Sequence, residues 1–215
     1  MKFIDSKKDQ FRKLARDHGY RSRSAYKLLQ LNKSYRILHK GDFVVDIGCA
    51  PGGWIQVALS EVGGKGKVIG VDLKKVDPID NAFLVQGNIE NEDTINSILK
   101  ITNSNVDVVL SDLSPNVSGN WELDHARQID LTKIALTLSR KIIKKGGKVV
   151  LKVFQGDMLN ELLDELRKEF KKVIITKPTA SRQVSSELYL ICMYYHSSIE
   201  EKSLDITSRF SYDSN

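Results

Sequence analysis

Lys152 lies inside an apolar run, VVLKVF at residues 149–154, that is typical of a buried β-strand. Lysine is rarely buried unless a charged or polar group pairs with it. One explanation is structural: near the end of a strand the alkyl stem can be covered while the ammonium group reaches water. The other is chemical, because a lysine that faces a crevice can stabilise a developing negative charge or, once deprotonated, accept a proton.

Polar side chains also end the other apolar runs of the chain. Asp46 ends VVD, Asp72 ends KVIGVD, Asn88 ends FLVQGN and Asp112 follows VVLS. In an open sheet of parallel strands, ligands bind in the crevice beyond the carboxyl ends of the strands. We therefore predict that these four side chains face the same crevice as Lys152.

The turn after the first of these runs, in the segment VVDIGCAPGGW, is rich in glycine. Gly48, Gly52 and Gly53 allow the backbone to approach a ligand closely. Their spacing, G-x-x-x-G-G, differs from the G-x-G-x-x-G pattern of dinucleotide sites, and Pro51 lacks the amide that a pyrophosphate would need. A nucleotide-linked oxidoreductase is therefore disfavoured. A ligand with a charged amino-acid end and a nucleoside end is favoured.

Each residue around this turn has a predicted role and a plainer alternative. Asp46 can orient the turn or accept a hydrogen bond from a ligand amine. Asp72, 24 residues after Gly48, is placed to accept from ribose hydroxyls, although a lone aspartate here can also be a turn cap. Asn88 can present its amide to an adenine edge. Trp54 is either a core aromatic residue or a lid beside the ligand.

Positive charge is concentrated at the start of the chain. Residues 1–40 hold 12 lysines and arginines against 3 aspartates, a net charge of +9, whereas the whole chain carries +6. A local positive field indicates a polyanionic partner such as nucleic acid, although a solvated helix face is the plainer alternative. Serines and tyrosines in GYRSRSAYK add neutral phosphate donors. The predicted phosphate contacts are Arg12, Lys13, Arg16, Arg21 and Arg23.

Alternating strand and helix patterns predict the fold class α/β, with a doubly wound, mostly parallel sheet and helices on both faces. We predict strands at 43–47, 67–72, 82–86, 106–111, 147–154, 172–176 and 187–195. We predict helices at 6–17, 22–34, 52–61, 91–100, 121–145 and 157–170, with a glycine pair at 146–147 ending the long one. The predicted organisation is a basic helical segment at 1–40, a body at 41–196 and a polar, mobile tail at 197–215.

Several classes of protein are disfavoured by what the sequence lacks. It has no run of 18 apolar residues and no apolar segment near its start, so we expect neither a transmembrane helix nor a signal peptide. Its two cysteines, Cys49 and Cys192, have no metal-type spacing, so we expect free thiols and no metal site. The expectation is a cytoplasmic monomer without membrane contact.

Four blocks of sequence together resemble the FtsJ/RlmE family of S-adenosylmethionine-dependent ribosomal RNA 2′-O-methyltransferases. They are RSRSAYKL, DIGCAPGGW, LSDLSPN and LKVFQG, in that order, with SRQVSSELYLI following. The resemblance extends from about Gly19 to Tyr195. It implies a Rossmann-like methyltransferase fold, with a seven-stranded, mostly parallel sheet whose last strand, at 187–195, is antiparallel.

The resemblance also implies a cofactor, a catalytic set and a substrate. S-adenosyl-L-methionine would lie against Gly52, Trp54, Asp72, Asn88 and Asp112, and the family's catalytic residues would fall on Lys27, Asp112, Lys152 and Glu187. Many members carry an aspartate where Asn88 stands, but an amide can still contact adenine. The implied substrate is a uridine in large-subunit ribosomal RNA, as free RNA or in a ribosomal subunit. Members that modify tRNA share this core, so tRNA is an alternative.

Methylation of a ribose 2′-hydroxyl requires a group that takes up or shares its proton, because a neutral hydroxyl is a poor nucleophile. An ordinary lysine, with a pKa of about 10.4, is protonated at neutral pH. We favour Lys152 as the base, oriented by Asp112 and Glu187, with Lys27 positioning the ribose or its phosphate. In the alternative, both lysines stay charged and stabilise the alkoxide. A plainer possibility is that Lys27 and Glu187 form an ordinary surface pair.

Two other interpretations remain open at this level. A small-molecule O-methyltransferase would explain the glycine turn and Asp72 but not the basic segment. An RNA-binding chaperone or assembly factor without catalysis would leave the lysines and carboxylates unexplained. Within the RNA hypothesis, the polar segment VSGNWELDHARQ, at residues 117–128, is predicted to cover the target nucleotide.

Overall fold

The structure is a computed structural model that describes residues 3–103, 105–182 and 184–196, except for the side chains of 3–9. The tail predicted at 197–215 lies outside the described residues. Within the described part, the helices are α1 (Phe3–Asp17), α2 (Ala25–Tyr35), α3 (Gly53–Val62), α4 (Glu92–Thr102), α5 (Trp121–Ile142) and α6 (Leu159–Arg167). The strands are β1 (Phe43–Ile47), β2 (Lys67–Asp72), β3 (Ala82–Gln86), β4 (Val106–Ser111), β5 (Ile143–Phe154), β6 (Phe170–Thr176) and β7 (Glu187–Tyr195).

The described strands form one sheet in the order β3-β2-β1-β4-β5-β7-β6. The pairs from β3 to β5 are parallel, whereas β7 runs antiparallel to both β5 and β6. The predicted fold class, including the antiparallel last strand, is confirmed. The strand order reverses at β1 and β4, which is where open α/β sheets bind ligands.

Apolar side chains cover the sheet on both faces. On one face, β-strand residues pack with Leu136 of α5 and Leu162 of α6. On the other face they pack with Leu28 of α2 and Ile55 of α3. These four side chains are fully buried, so the apolar runs of the strands reflect burial on both sides. Helix α2 therefore belongs to the same core as the sheet.

The structure corrects the boundary between the long helix and the strand after it. The sequence prediction ended a helix at 145 and began a strand at 147, but α5 ends at Ile142 and β5 begins at Ile143. Ile143 is buried and pairs with Val106 of β4. The pair Gly146 and Gly147 lies inside the strand instead of capping the helix, with Gly146 at φ 81°. Burial of Ile143 against the sheet outweighs the local glycine signal.

At other elements, the observed boundaries lie within three residues of the predicted ones. Helix α2 begins at Ala25 and not at 22, because the preceding residues form a turn. Helix α6 is shorter than the predicted 157–170, and β6 begins at Phe170 instead of 172. No helix in the described ranges combines the length and apolar character needed to cross a bilayer.

The sheet brings three strand ends to one place. Because β7 is antiparallel to β5, its first residue, Glu187, pairs with the last residue of β5, Phe154. Lys152, two residues before Phe154, pairs with Tyr189, two residues after Glu187. Strand β4 ends beside them at Ser111, just before Asp112.

Candidate active site

Lys152 is buried and paired at the carboxyl end of the sheet. Only 7% of the residue is exposed. Its Nζ donates a hydrogen bond to the Asp112 carbonyl oxygen at 2.7 Å and lies 3.4 Å from Asp112 Oδ1 and 4.0 Å from Glu187 Oε1. The Lys152 ammonium group therefore does not extend into water, as the structural explanation of this buried lysine would require. Two carboxylates and a carbonyl oxygen hold the Lys152 nitrogen in the crevice.

Helix α5 fixes the backbone of Lys152 from the other side of the sheet. The Lys152 carbonyl oxygen accepts from Gln128 Nε2 at 3.0 Å and from Thr132 Oγ1 at 3.1 Å. Both donor residues are buried. A buried carbonyl with two donors has little freedom to shift. The reactive end of the side chain is therefore carried by a rigid strand.

Tyr189 links the two carboxylates. Its hydroxyl lies 2.7 Å from Asp112 Oδ1 and 2.8 Å from Glu187 Oε1, with the residue fully buried. A phenol has one proton to donate, so the two carboxylates share it. Burial, and then the nearby charges of Asp112 and Glu187, raise the pKa of Tyr189 well above its ordinary value, so the group stays neutral.

Sequence reasoning missed Tyr189. The signal was available, because residues two apart on a strand share one face of the sheet. A tyrosine two positions after Glu187, directly opposite Lys152, could have been placed in the site on that ground.

Lys27 reaches the site from α2. Its Nζ donates to Glu187 Oε1 at 2.5 Å and lies 5.6 Å from the ring centroid of Tyr189. The side chains of Lys27 and Glu187 are 12% and 10% exposed, so this is not an ordinary surface pair. Burial would raise the pKa of Glu187, but Lys27, Lys152 and Tyr189 outweigh it and lower that pKa below its usual value. Glu187 is therefore ionised at neutral pH.

Two positions of the glycine turn have a backbone conformation that favours glycine. Gly48 and Gly52 have φ angles of 79° and 109°, which side chains rarely tolerate. A Cβ on Gly52 would lie 2.5 Å from Ile79 Cδ1, and one on Gly48 would collide with the Leu113 side chain. Glycine at both positions lets the turn pack closely against these side chains.

Asp72 and Asn88 lie at the ends of the neighbouring strands. Asp72 Oδ2 accepts from the Ala50 amide at 2.9 Å, and Oδ1 accepts from the Lys74 amide at 2.8 Å. Asp72 is thus a turn cap, but each carboxylate oxygen still has a lone pair for a ligand hydroxyl. Asn88 Oδ1 accepts from the Glu90 amide at 3.0 Å, which leaves the Asn88 amide nitrogen for a ligand acceptor.

Asp46 is the most unusual group in the crevice. The residue is 1% exposed, and within the described part of the chain neither carboxyl oxygen has a hydrogen-bond partner. Burial, and then the charges of Asp112 and Asp72, raise its pKa well above the ordinary value. A buried carboxyl without a partner is costly. An arriving cation would provide the missing partner.

Trp54 is a core residue and not an exposed lid. It is 3% exposed, its Nε1 donates to the Ser24 carbonyl at 2.8 Å, and its ring centroid lies 5.9 Å from that of Tyr189. Its main role in the structure is to pack α2 against the sheet.

A basic groove of about 540 Å³ lies between α1 and α2. It is lined by Arg12, Ala15, Arg16, Gly19, Tyr20, Arg21, Ser22 and Arg23. The side chains of Arg12, Lys13 and Arg16 are exposed. Burial, and then the charges of Arg182 and Arg12, lower the pKa of Arg23, although Glu187 opposes the shift. This groove can hold phosphate groups.

Two of the predicted phosphate contacts also bind the protein's own backbone. Arg21 donates to the carbonyls of Asp77 at 2.6 Å, Pro78 at 2.7 Å and Pro51 at 3.4 Å. Arg23 donates to the Ala180 carbonyl at 2.8 Å. Arg21 therefore joins the basic segment to the glycine turn, a role that the charge pattern did not predict.

Comparison with known proteins agrees with this geometry. The model of the FtsJ-like methyltransferase family matches residues 20–195. A relative from Nitrosopumilus maritimus, named Ribosomal RNA large subunit methyltransferase E, is 46% identical over 193 residues, covering 90% of this chain and 98% of its own length. A relative of the same name from Methanococcus aeolicus is 49% identical over 190 residues, covering 87% of this chain and 71% of its own.

Solved structures show the same likeness. A crystal structure from Plasmodium falciparum, described as a ribosomal RNA methyltransferase, superposes with a TM-score of 0.74 and 34% identity, covering 82% of this chain and 98% of that one. A structure from Clostridium thermocellum shares the fold at a TM-score of 0.53 and 21% identity, covering 76% of this chain and 96% of that one. With the family model matching nearly all of the described sheet and both lysines of the site, the chain belongs to the FtsJ-like methyltransferase family.

Proposed function

We propose that this protein transfers a methyl group from S-adenosylmethionine to the 2′-hydroxyl of a uridine in large-subunit ribosomal RNA. The observation that carries the proposal is the buried network in which Lys152, Asp112 and Glu187 meet at the strand ends beside the partnerless carboxyl of Asp46. The names of the relatives from Nitrosopumilus maritimus and Methanococcus aeolicus support the choice of RNA.

The residues of the crevice fit S-adenosylmethionine. Asp46 offers a buried acceptor to the ammonium group, and Asp72 offers lone pairs to the ribose hydroxyls. Asn88 can contact adenine through its amide nitrogen, since its Oδ1 accepts from the Glu90 amide. When bound, S-adenosylmethionine supplies a methyl carbon on a positively charged sulfur that a hydroxyl oxygen can attack.

The protein's part in the reaction is to prepare that hydroxyl. Lys152 Nζ, in its neutral form, takes up the 2′-hydroxyl proton. The carboxylates of Asp112 and Glu187 orient the nitrogen and then neutralise the ammonium group that forms. Lys27, held by Glu187, positions the ribose or its phosphate. Fixed donors and acceptors in a buried site need little reorganisation during the reaction, which lowers the barrier.

RNA fits this site better than the alternative substrates. DNA lacks the 2′-hydroxyl, and a small-molecule alcohol would give no role to the arginines of the basic groove. The tRNA alternative shares the chemistry, but the relatives at 46–49% identity that cover most of the chain carry the name of a large-subunit ribosomal RNA enzyme. The basic groove and Lys27 belong to one segment, so RNA docking and part of the catalytic set would share one element.

Incubation with labelled S-adenosylmethionine tests the proposal directly. Large-subunit ribosomal RNA or whole subunits, tRNA and catechol would be offered in parallel, and the methylated position would be mapped. We expect label on a ribose 2′-oxygen of large-subunit RNA. Label in tRNA or catechol alone, or label on a base, would overturn the proposal.

Replacing Asp72 by alanine tests the cofactor site. The variant should lose hydrogen bonds to the ribose and leave ligand hydroxyls unpaired, weakening S-adenosylmethionine binding by about 1–3 kcal/mol in calorimetry. Asp130→Ala, which removes an exposed aspartate from α5, is the matched control and should bind normally. Unchanged affinity in folded Asp72→Ala would remove Asp72 from the site.

Replacing Arg12 or Arg16 by alanine tests the basic groove. Either change should weaken RNA binding and reduce the slope of log K against log salt by about one unit, because one phosphate contact is lost. Affinity for S-adenosylmethionine should stay at the wild-type value. Lys171→Ala, which removes an exposed lysine near the start of the edge strand β6, is the control and should keep the full slope.

One outcome would contradict the proposal that the basic groove binds RNA phosphates. If Arg12→Ala and Arg16→Ala bind RNA with the wild-type salt slope, the groove does not hold phosphate. Arg21→Ala is a separate case, because its backbone contacts to the turn predict a loss of cofactor affinity as well.

A further inference from the structure

An exposed tryptophan lies at the same end of the sheet as the catalytic lysine. Trp121 begins α5, and 48% of the residue is exposed. Its ring stacks on His125, with centroids 5.8 Å apart at 15°, and on Phe154, with centroids 6.1 Å apart at 24°. Phe154 follows Lys152 by two positions on β5, so the two side chains share a face of the strand.

The ring is held in place by the residues beneath it. His125 is 5% exposed, and its Nε2 accepts from the Met158 amide at 3.3 Å. A Cβ on Gly156 would lie 2.6 Å from the His125 ring, so glycine leaves the space that the imidazole fills. The stack of Trp121 on His125 thus rests on the turn that follows the strand of Lys152.

The loop before Trp121 is also fixed. The buried carboxylate of Asp124 accepts from the Ser118 amide and hydroxyl, both at 2.8 Å, and from the Gly119 amide at 3.0 Å. These hydrogen bonds lower the pKa of Asp124, with the Ser118 amide contributing most. Asn120 caps α5 by accepting from the Leu123 amide at 3.3 Å. Trp121 is therefore presented by an ordered loop end.

Apolar side chains stay exposed around this point. Val117 is 69% exposed and Leu123 is 42% exposed. An aromatic ring with rigid support and open area is the usual acceptor of an unpaired base, because every base has a face that can stack.

We propose that Trp121 is the stacking platform for an unpaired base of the substrate RNA, at the nucleotide whose ribose faces Lys152. The inference rests on the proposed function. Attack on a methyl carbon needs the ribose oxygen in line, and an unpaired nucleotide has no duplex to hold it there. The basic groove binds the backbone on the side of Lys27. Trp121, stacked on Phe154 at the end of the strand that carries Lys152, holds the base.

Intrinsic fluorescence gives a direct readout of stacking. The chain has two tryptophans, and Trp54 is 3% exposed. Acrylamide-quenchable emission should therefore come from Trp121. Titration with single-stranded oligouridylate should reduce that emission and protect it from acrylamide. Trp121→Phe should retain the Trp54 emission and lose the response.

Methylation kinetics separate a positioning role from a structural one. With large-subunit ribosomal RNA, Trp121→Ala should lower kcat/KM by about 5- to 150-fold, mainly through KM, and Trp121→Phe should restore most of it. Affinity for S-adenosylmethionine should not change. The control is Tyr194→Ala, which removes a side chain of similar exposure, 51%, at the far end of β7.

Three outcomes would overturn the platform. They are wild-type kcat/KM in Trp121→Ala, RNA binding without any change in Trp121 emission, and a defect seen with ribosomal subunits but not with free RNA, which would indicate a protein partner. If the wild-type protein methylates no RNA, the proposed function itself fails. If the wild-type protein methylates RNA and Trp121→Ala does so with the same kcat/KM, only the proposed stacking role of Trp121 fails.

Discussion

Replacing Lys152 by alanine is expected to lower turnover by about 10²–10⁴-fold, the usual contribution of a positioned base. A base would act mainly in the transition state, so the variant should still bind S-adenosylmethionine and RNA. Single-turnover methylation, with calorimetry for each ligand, measures both effects. Because Lys152 is 7% exposed, Lys152→Met serves as a second variant that keeps most of the buried stem, and it should be as slow as the alanine variant.

Lys152→Arg separates the two mechanisms that the sequence left open. A guanidinium cannot give up its proton at working pH, so a base is lost in this variant. A purely electrostatic cation would keep a good part of its rate, because the charge remains. We expect Lys152→Arg to be nearly as slow as Lys152→Ala. Single-turnover methylation by Lys152→Arg at near wild-type speed would exclude Lys152 as the proton acceptor. Its remaining role would be that of a cation that stabilises the alkoxide.

Much of this site could be predicted because strand ends are easy to recognise. Apolar runs set the limits of β1 to β4 and β7, and the structure reproduces them residue for residue. In parallel strands the carboxyl ends meet at one edge. Asp46, Asp72 and Asp112 could therefore be placed together before any tertiary contact was known.

The rest depends on contacts that local sequence does not encode. The Tyr189 hydroxyl bridges Asp112 and Glu187 only because β7 runs antiparallel beside β5. Arg21 looked like a phosphate ligand, yet its guanidinium also binds backbone carbonyls in the Asp77–Pro78 loop. The burial of Ile143 moved a strand start across a glycine pair. Each case is a tertiary contact overriding a local preference.

Once Lys152 holds a proton, the formal charges of this buried network balance. Lys27 and Lys152 face Asp112 and Glu187 at distances between 2.5 and 4.0 Å, with the neutral phenol of Tyr189 between the carboxylates. Buried ion pairs of this kind often contribute little net stability compared with apolar residues of the same size. We infer that their value lies in fixing the Lys152 nitrogen. Removing a single member should nevertheless be costly, since it leaves a buried charge unpaired.

Glu187→Ala is expected to lower the free energy of unfolding by about 3–5 kcal/mol, because Lys27 would keep a buried charge without its closest partner. Urea denaturation at pH 7 measures the loss. The double variant Lys27→Met with Glu187→Leu should recover much of it, since neither charge remains. Asp164→Asn breaks the exposed pair with Arg167, whose side chains are 68% and 60% exposed, and should cost less than about 1 kcal/mol.

The same variant has a defined pH dependence. The pKa of Glu187 is lower in the folded protein than the ordinary value of about 4.3. Its ionised form therefore adds stability above that ordinary value, and this stability is lost as the pH falls through the lower, folded-state pKa. The difference between wild type and Glu187→Ala should be full at pH 7 and should shrink below about pH 4. A difference that stays constant down to acid pH, or a single variant as stable as wild type at pH 7, would mean that the Lys27–Glu187 contact contributes no electrostatic stability.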